Sequence, residues 1–204
     1  MSPMAAAAFA LALLAVFGVL GFGWRAWLQH RRTGSTGFQG VSGRIGSVEW
    51  VAGVGFVVAL VITVVGPALQ YCRIIRPLSD AQWLQVTGIV VAAFGIALTV
   101  WAQLDMGDSW RIGVDASETT ELVQRRVFGL VRNPIYTAML VFGFGIALLT
   151  TNFVTIAGLV LTVAALELQV RRVEEPYLLT KHGGAYRRYT ASVGRFIPGV
   201  GLMR

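Results

Sequence analysis

Uncharged apolar runs alternate with short polar stretches along the whole chain, and the runs have membrane-spanning lengths. The pattern predicts a first span over residues 4–24, retained because the run is longer than the ~7–15 residue core of a signal peptide and no positive segment precedes it. A flexible basic loop over residues 25–47 follows, rich in Gly, Ser and Thr and carrying Arg25, Arg31, Arg32 and Arg44. Residues 51–70, with Pro67 in the last turn, form the second span, and residues 84–104 the third. Residues 105–132 are the longest polar segment and read as an extramembrane loop. Asp115 and Glu118 there have capping-box spacing.

Residues 135–166 then carry no charge. One straight helix of that length would run ~48 Å, against a hydrocarbon core of ~30 Å. The polar triplet Thr150-Thr151-Asn152 lies at the midpoint, where Asn accepts turn conformations and Thr hydroxyls satisfy free backbone groups. The reading is a helical hairpin with arms of about sixteen residues, short enough to stop near the far interface. A hairpin returns the chain to the side it left, so Arg132-Asn133-Pro134 and Glu174-Glu175 can meet. The expected fold is an all-α integral membrane protein of about five transmembrane helices. Residues 1–104 form a three-span membrane region, and residues 105–204 a region of loop, hairpin and interfacial C-terminal helix.

Composition agrees: 55% of the 204 residues are hydrophobic and 13% charged, with a mean hydropathy of +0.67. The net charge of +7 lies beside the apolar runs, which suits anionic headgroups and argues against nucleic acid as a partner. The lone Cys72 excludes an internal disulfide, and His30 and His182 share no ligand spacing, so no metal is expected. Arg73 and Arg76 fall on one side of the membrane and most other basic residues on the opposite side. By the positive-inside rule the N-terminus is outside and the polar C-terminal half cytoplasmic.

After the hairpin, Glu167, Arg171 and Glu174 share a helix face, so Glu167 and Arg171 are placed to neutralise each other. Glu174 and Glu175 stand directly before Pro176, where a helix bends. Tyr186, Tyr189 and Val193 recur at helical spacing beside Arg187 and Arg188, giving an amphipathic helix that anchors at the interface.

These motifs, in this order, resemble the isoprenylcysteine carboxyl methyltransferase family of integral membrane methyltransferases. The resemblance runs from about residue 110 to residue 198. It rests on Leu122-Val123, Phe128, Arg132-Asn133-Pro134-Ile135-Tyr136, Glu174-Glu175-Pro176-Tyr177-Leu178, Gly183-Gly184-Ala185-Tyr186-Arg187-Arg188-Tyr189 and Arg195-Phe196-Ile197-Pro198. It implies S-adenosyl-L-methionine as cofactor, bound by Gly113, Thr120, Glu121, Leu122, Val123, Phe128, Asn133, Pro134, Ile135, Tyr136 and Glu174. It also implies a lipid or isoprenoid substrate entering from the bilayer. The chain departs from the family at Asn133, where the family has histidine, and at Val170, where carboxylate-methylating members have arginine. Arg171, one residue on, is the candidate substrate-binding residue, since a guanidinium suits a carboxylate. Two other readings share part of the pattern: a nicotinamide-dependent membrane sterol or lipid reductase, and a non-catalytic protein of the same fold.

Overall fold

A computed structural model describes residues 1–37, 40, 41, 43–107 and 122–203. The described chain is helical. α1 (Pro3–Gly18) continues through a π-helical turn (Val19–Trp24) into α2 (Arg25–Thr33). α3 (Val48–Tyr71) and α4 (Gln82–Met106) follow, then a short 3-10 turn (Arg126–Gly129) and α5 (Pro134–Thr150). α6 (Phe153–Gln169) runs through a second π turn (Val170–Glu174) into α7 (Glu175–Ser192). Four continuous helices, Pro3–Thr33, Val48–Tyr71, Gln82–Met106 and Phe153–Ser192, are long and apolar enough to cross a membrane. α5 is apolar and shorter, and with them makes the expected five-helix membrane protein.

The first helix does not stop at Arg25 as expected. No glycine or proline interrupts Arg25–Thr33, and the turn ends only at Gly34, whose φ of 77° is the left-handed conformation that glycine adopts readily. The charge of Arg25 does not mark a membrane exit either, because its side chain turns into the protein and is buried together with Gln29. From Gly34 to Gly46 every third residue is glycine, and all five have positive φ, which an α-helix does not contain. Ser47 restarts the chain by accepting a hydrogen bond from the Trp50 amide at 3.3 Å.

Lipid offers the helices little hydrophobic reason to associate, so small residues set the contacts. α4 lies against α5, and α3 against α6. A Cβ placed on Gly88 would stand 2.5 Å from the Leu149 amide nitrogen, and one on Gly95 2.5 Å from that of Phe142. From the other side, Gly145 packs on the backbone of Ala92. Gly158 plays the same part against Thr63, and Gly66 against Thr155 and Asn152. α1 joins the bundle through Phe17, stacked on Phe142 with ring centroids 4.2 Å apart. Trp83, Val86, Val90, Phe94 and Trp101 of α4 remain exposed, an apolar stripe for lipid with an indole near each end.

The hairpin turn reaches the far face. Thr151 takes the left-handed conformation (φ 43°, ψ 39°), and Asn152 caps α6 by accepting from the Thr155 amide at 2.8 Å. Thr151 accepts from the Leu78 amide at 2.8 Å and its hydroxyl donates to the Ser79 carbonyl at 2.5 Å, which ties the turn to the α3–α4 connection. Asn152 Nδ2 donates to Gln70 Oε1 at 2.8 Å, and Gln70 Nε2 donates to the Pro3 carbonyl at 3.0 Å. The buried polar groups of the turn are therefore partnered by the ends of α1 and α3.

Candidate functional site

At the opposite end of the bundle the two ends of the hairpin meet. Pro134 opens α5 at a position where its missing N–H costs nothing. The preceding Asn133 is half-buried and turned toward the C-terminal segment. Its amide nitrogen donates to the Arg195 carbonyl at 3.1 Å, and its Nδ2 donates to the same oxygen at 3.2 Å. One turn along α5, the Tyr136 hydroxyl donates to Glu174 Oε1 at 2.6 Å, and Gln169 Nε2 reaches that oxygen at 3.4 Å. Glu174 is thus held at the mouth of α5, across the hairpin from the residues that enter it.

The apolar part of the site comes from the 3-10 turn. Phe128 and Val127 are buried against Ala102 of α4, with Val123, Met106 and Ile135 packed around them. The Tyr189 hydroxyl donates to the Phe128 carbonyl at 2.5 Å. Asp105 of α4 holds the start of this turn, accepting from Arg126 Nη1 at 3.0 Å and from the Val127 amide at 3.5 Å. Tyr186 and Tyr189 are buried, so the motif expected to anchor α7 in the interface instead holds α7 against the protein. Val193 lies past the end of α7 in extended conformation.

Glu174 and Glu175 diverge. Glu175 Oε1 accepts from Arg132 Nη2 and from Arg195 Nε, each at 2.7 Å, and Oε2 accepts from Arg195 Nη2 at 2.9 Å. The three side chains are 2–10% exposed. Two guanidinium ions share one carboxylate, and the excess positive charge is spread over carbonyls: Arg132 also donates to Val193 at 2.6 Å, Gly201 at 3.0 Å and Thr190 at 3.3 Å. The Glu175 carboxylate beside it holds the Arg195 guanidinium further above its ordinary value. Residues 193–203 are drawn across the start of α5, where the Arg132 amide donates to the Gly194 carbonyl at 2.8 Å.

Of the residues expected to line a cofactor site, Val123, Phe128 and Ile135 lie together, as do Tyr136 and Glu174, and Pro134 and Asn133 start the helix between them. Leu122 is half-buried beside Val123. Gly113, Thr120 and Glu121, and the capping-box pair Asp115 and Glu118, lie outside the described residues. Arg171 bonds Glu167 on an exposed face of the helix, while Val170 beside it is buried. Arg132 and Glu175 meet as the hairpin predicts, while Arg195 was not expected as the third member of their cluster. The signal for the pair was present in the chain: a charge flanking apolar spans needs an opposite partner, and the hairpin returns Glu175 to Arg132. Among the described residues no group of three or more His, Cys, Asp or Glu side chains is placed to hold a metal.

Residues 83–184, half of the chain, match the family model for phospholipid methyltransferases. The chain belongs to the phospholipid methyltransferase family. The match begins in α4, takes in the whole hairpin and ends inside α7, so it contains Asp105, Phe128, Arg132, Tyr136, Glu174 and Glu175 and leaves out α1 to α3 and Arg195. Among solved structures the fold is similar to that of the eukaryotic intramembrane Ras methyltransferase, isoprenylcysteine carboxyl methyltransferase. The TM-score is 0.63 at 21% identity, over 95% of this chain and 66% of that one. The chain therefore spans just under two thirds of the length of that structure. No curated protein matches the sequence. The resemblance read from the motifs holds as a shared multi-pass membrane fold and as membership of a methyltransferase family.

Proposed function

We propose that the protein transfers a methyl group from S-adenosyl-L-methionine to a lipid or isoprenoid-type substrate that enters from the bilayer. The observation that carries this reading is the meeting of Tyr136 and Glu174 beside the apolar wall of Val123, Phe128 and Ile135, at the place where both hairpin ends return. The side-chain set suits the cofactor. A carboxylate accepts from ribose hydroxyls or an ammonium group, and an aromatic and aliphatic wall receives a flat base. Leu122, Val123, Phe128, Asn133, Pro134, Ile135, Tyr136 and Glu174 would hold it, with Gly113, Thr120 and Glu121 completing the set. When bound, the cofactor supplies an activated methyl group on a sulfonium centre.

The chain's own part is alignment and exclusion of water. Tyr136 and Gln169 fix the rotamer of Glu174, so its acceptor oxygens are aimed before a ligand arrives. The cluster of Arg132, Glu175 and Arg195 joins the α5 mouth to α7 and to the tail, so Glu174 and Asn133 keep their spacing. Arg171 remains the candidate for orienting an anionic group of the substrate, in exchange with its present partner Glu167. The placement of basic residues supports a cytoplasmic site and an N-terminus outside.

Titration of the purified protein in detergent with S-adenosylhomocysteine, beside a reduced nicotinamide dinucleotide, tests the cofactor. Binding of the first alone is expected. Binding of the nicotinamide alone, or of neither, rejects the reading. Glu174→Ala is expected to abolish binding while the protein stays folded. Arg171→Ala is expected to lower turnover and leave cofactor affinity unchanged.

A further inference from the structure

The first transmembrane helix lies outside the segment matched to the family, yet it reaches the wall of the site. In the π turn Val19–Trp24 the helical hydrogen bonding is interrupted, and Gln103 of α4 donates to the Gly21 carbonyl at 2.7 Å. Arg25 follows directly after this turn. The residue is 1% exposed, and its Nη2 donates to the carbonyl of Gly107, the residue where the chain leaves α4. Gly107 has φ 60° and ψ −138°, a conformation that side chains resist. Two positions back, Asp105 holds the Arg126–Val127 end of the 3-10 turn. One cation and one anion thus grip the two points where the chain leaves α4 and returns to it. Between them Ala102 and Met106 support Val123, Phe128 and Ile135. A buried arginine in a membrane helix is costly and marks function by default, and a π turn in the same helix commonly does so too.

We infer that Arg25 is a positioning residue of the methyl-transfer site, holding the Gly107 turn so that the wall built on α4 meets Glu174 at a fixed distance. The inference rests on the cofactor reading above. It makes the N-terminal span a working part of the enzyme and not only a membrane anchor.

The test uses the full chain in detergent, with S-adenosylhomocysteine affinity and thermal midpoint measured on each variant. Arg25→Gln is expected to weaken binding on the order of tenfold or more. Arg25→Lys, which keeps the charge and loses the guanidinium fork, is expected to recover part of that loss. Gln70→Leu at the far face serves as the comparison, lowering the midpoint with affinity unchanged. Binding by Arg25→Gln within twofold of the parent overturns the inference. So does an equal loss of affinity in Gln70→Leu at the same midpoint, since the effect then follows stability alone. If Arg25→Gln does not fold, Arg25→Lys and Gly107→Ala decide, and full affinity in both rejects the role. Failure of the parent chain to bind S-adenosylhomocysteine rejects the cofactor reading instead, so the two failures are distinct.

Discussion

Removing Glu175 should be worse than removing either of its partners, and the cluster gives the reason. Glu175→Gln leaves two cations, Arg132 and Arg195, in a site where no side chain is more than 10% exposed, with no anion between them. Breaking a buried pair from one side costs about 3–5 kcal/mol, because the remaining charge is desolvated and uncompensated. Arg195→Met removes the second cation instead. One carboxylate then faces one guanidinium, the Arg132–Glu175 bond at 2.7 Å survives, and Arg132 keeps its three carbonyl partners. The loss is then that of the Arg195 hydrogen bonds to a carboxylate that keeps its other partner, with no charge stranded, and it is the smaller of the two. At about 2–4 °C per kcal/mol for a chain of this size, Glu175→Gln should lower the thermal midpoint by about 6–20 °C. Arg195→Met should lower it by less. Thermal unfolding in one detergent, followed by intrinsic tryptophan fluorescence, measures both. The charge argument is refuted if Arg195→Met costs as much as Glu175→Gln, which would mean that the tail, and not the balance of charge, dominates.

Four further outcomes are expected. Gly88→Val forces α4 away from the Leu149 backbone and should cost at least the ~1–3 kcal/mol of overpacking. Gly143→Ala, whose new methyl meets only the flexible end of Leu159 at 3.2 Å, should change the midpoint little. Asn152→Leu strips Gln70 Oε1 of its donor and α6 of its cap, and should cost about 1–3 kcal/mol with S-adenosylhomocysteine affinity retained, because the turn lies at the far face. Cys72 is the single cysteine and is exposed beside the α3–α4 connection, so a membrane-impermeant maleimide should label it from outside intact cells. Labelling only after permeabilisation would reverse the proposed orientation.

The hairpin was legible in the sequence because lipid leaves the backbone few options. An uncharged run too long for one span, broken by Thr-Thr-Asn, has to turn there. The depth of the turn was not legible. The bonds that tie Thr151 to Ser79 and Asn152 to Gln70 join positions more than seventy residues apart, and no local pattern shows them. The first helix misled for a related reason. Arg25 was read as the end of a span because a lone charge is expensive in hydrocarbon. In the fold Arg25 turns inward and donates to the Gly107 carbonyl at the end of α4, a partner that no local pattern shows. Tyr186 and Tyr189 carried the same ambiguity: an amphipathic tyrosine suits an interface and suits equally a buried site with an acceptor, and for Tyr189 the acceptor is the Phe128 carbonyl.

The adjacent glutamates show how the sequence and the site are joined. Successive residues on a helix point about 100° apart, so a Glu-Glu pair cannot aim both carboxylates at one partner, and the structure uses that divergence. The π turn Val170–Glu174 ends at the first glutamate and α7 begins at the second. Glu174 is turned across to Tyr136 of α5, while Glu175 is turned to Arg132 and Arg195. Tyr136 and Arg132 stand where the chain enters the hairpin and the two glutamates where it leaves, so each carboxylate reports on hairpin closure. Only Glu174 remains half-exposed. Charge neutralisation falls to Glu175, which is buried and saturated by three short hydrogen bonds. That division gives the two carboxylates separate work: Glu175 ties α7 and the tail to the start of α5, and Glu174, at the Tyr136 hydroxyl, is the one proposed to meet a ligand.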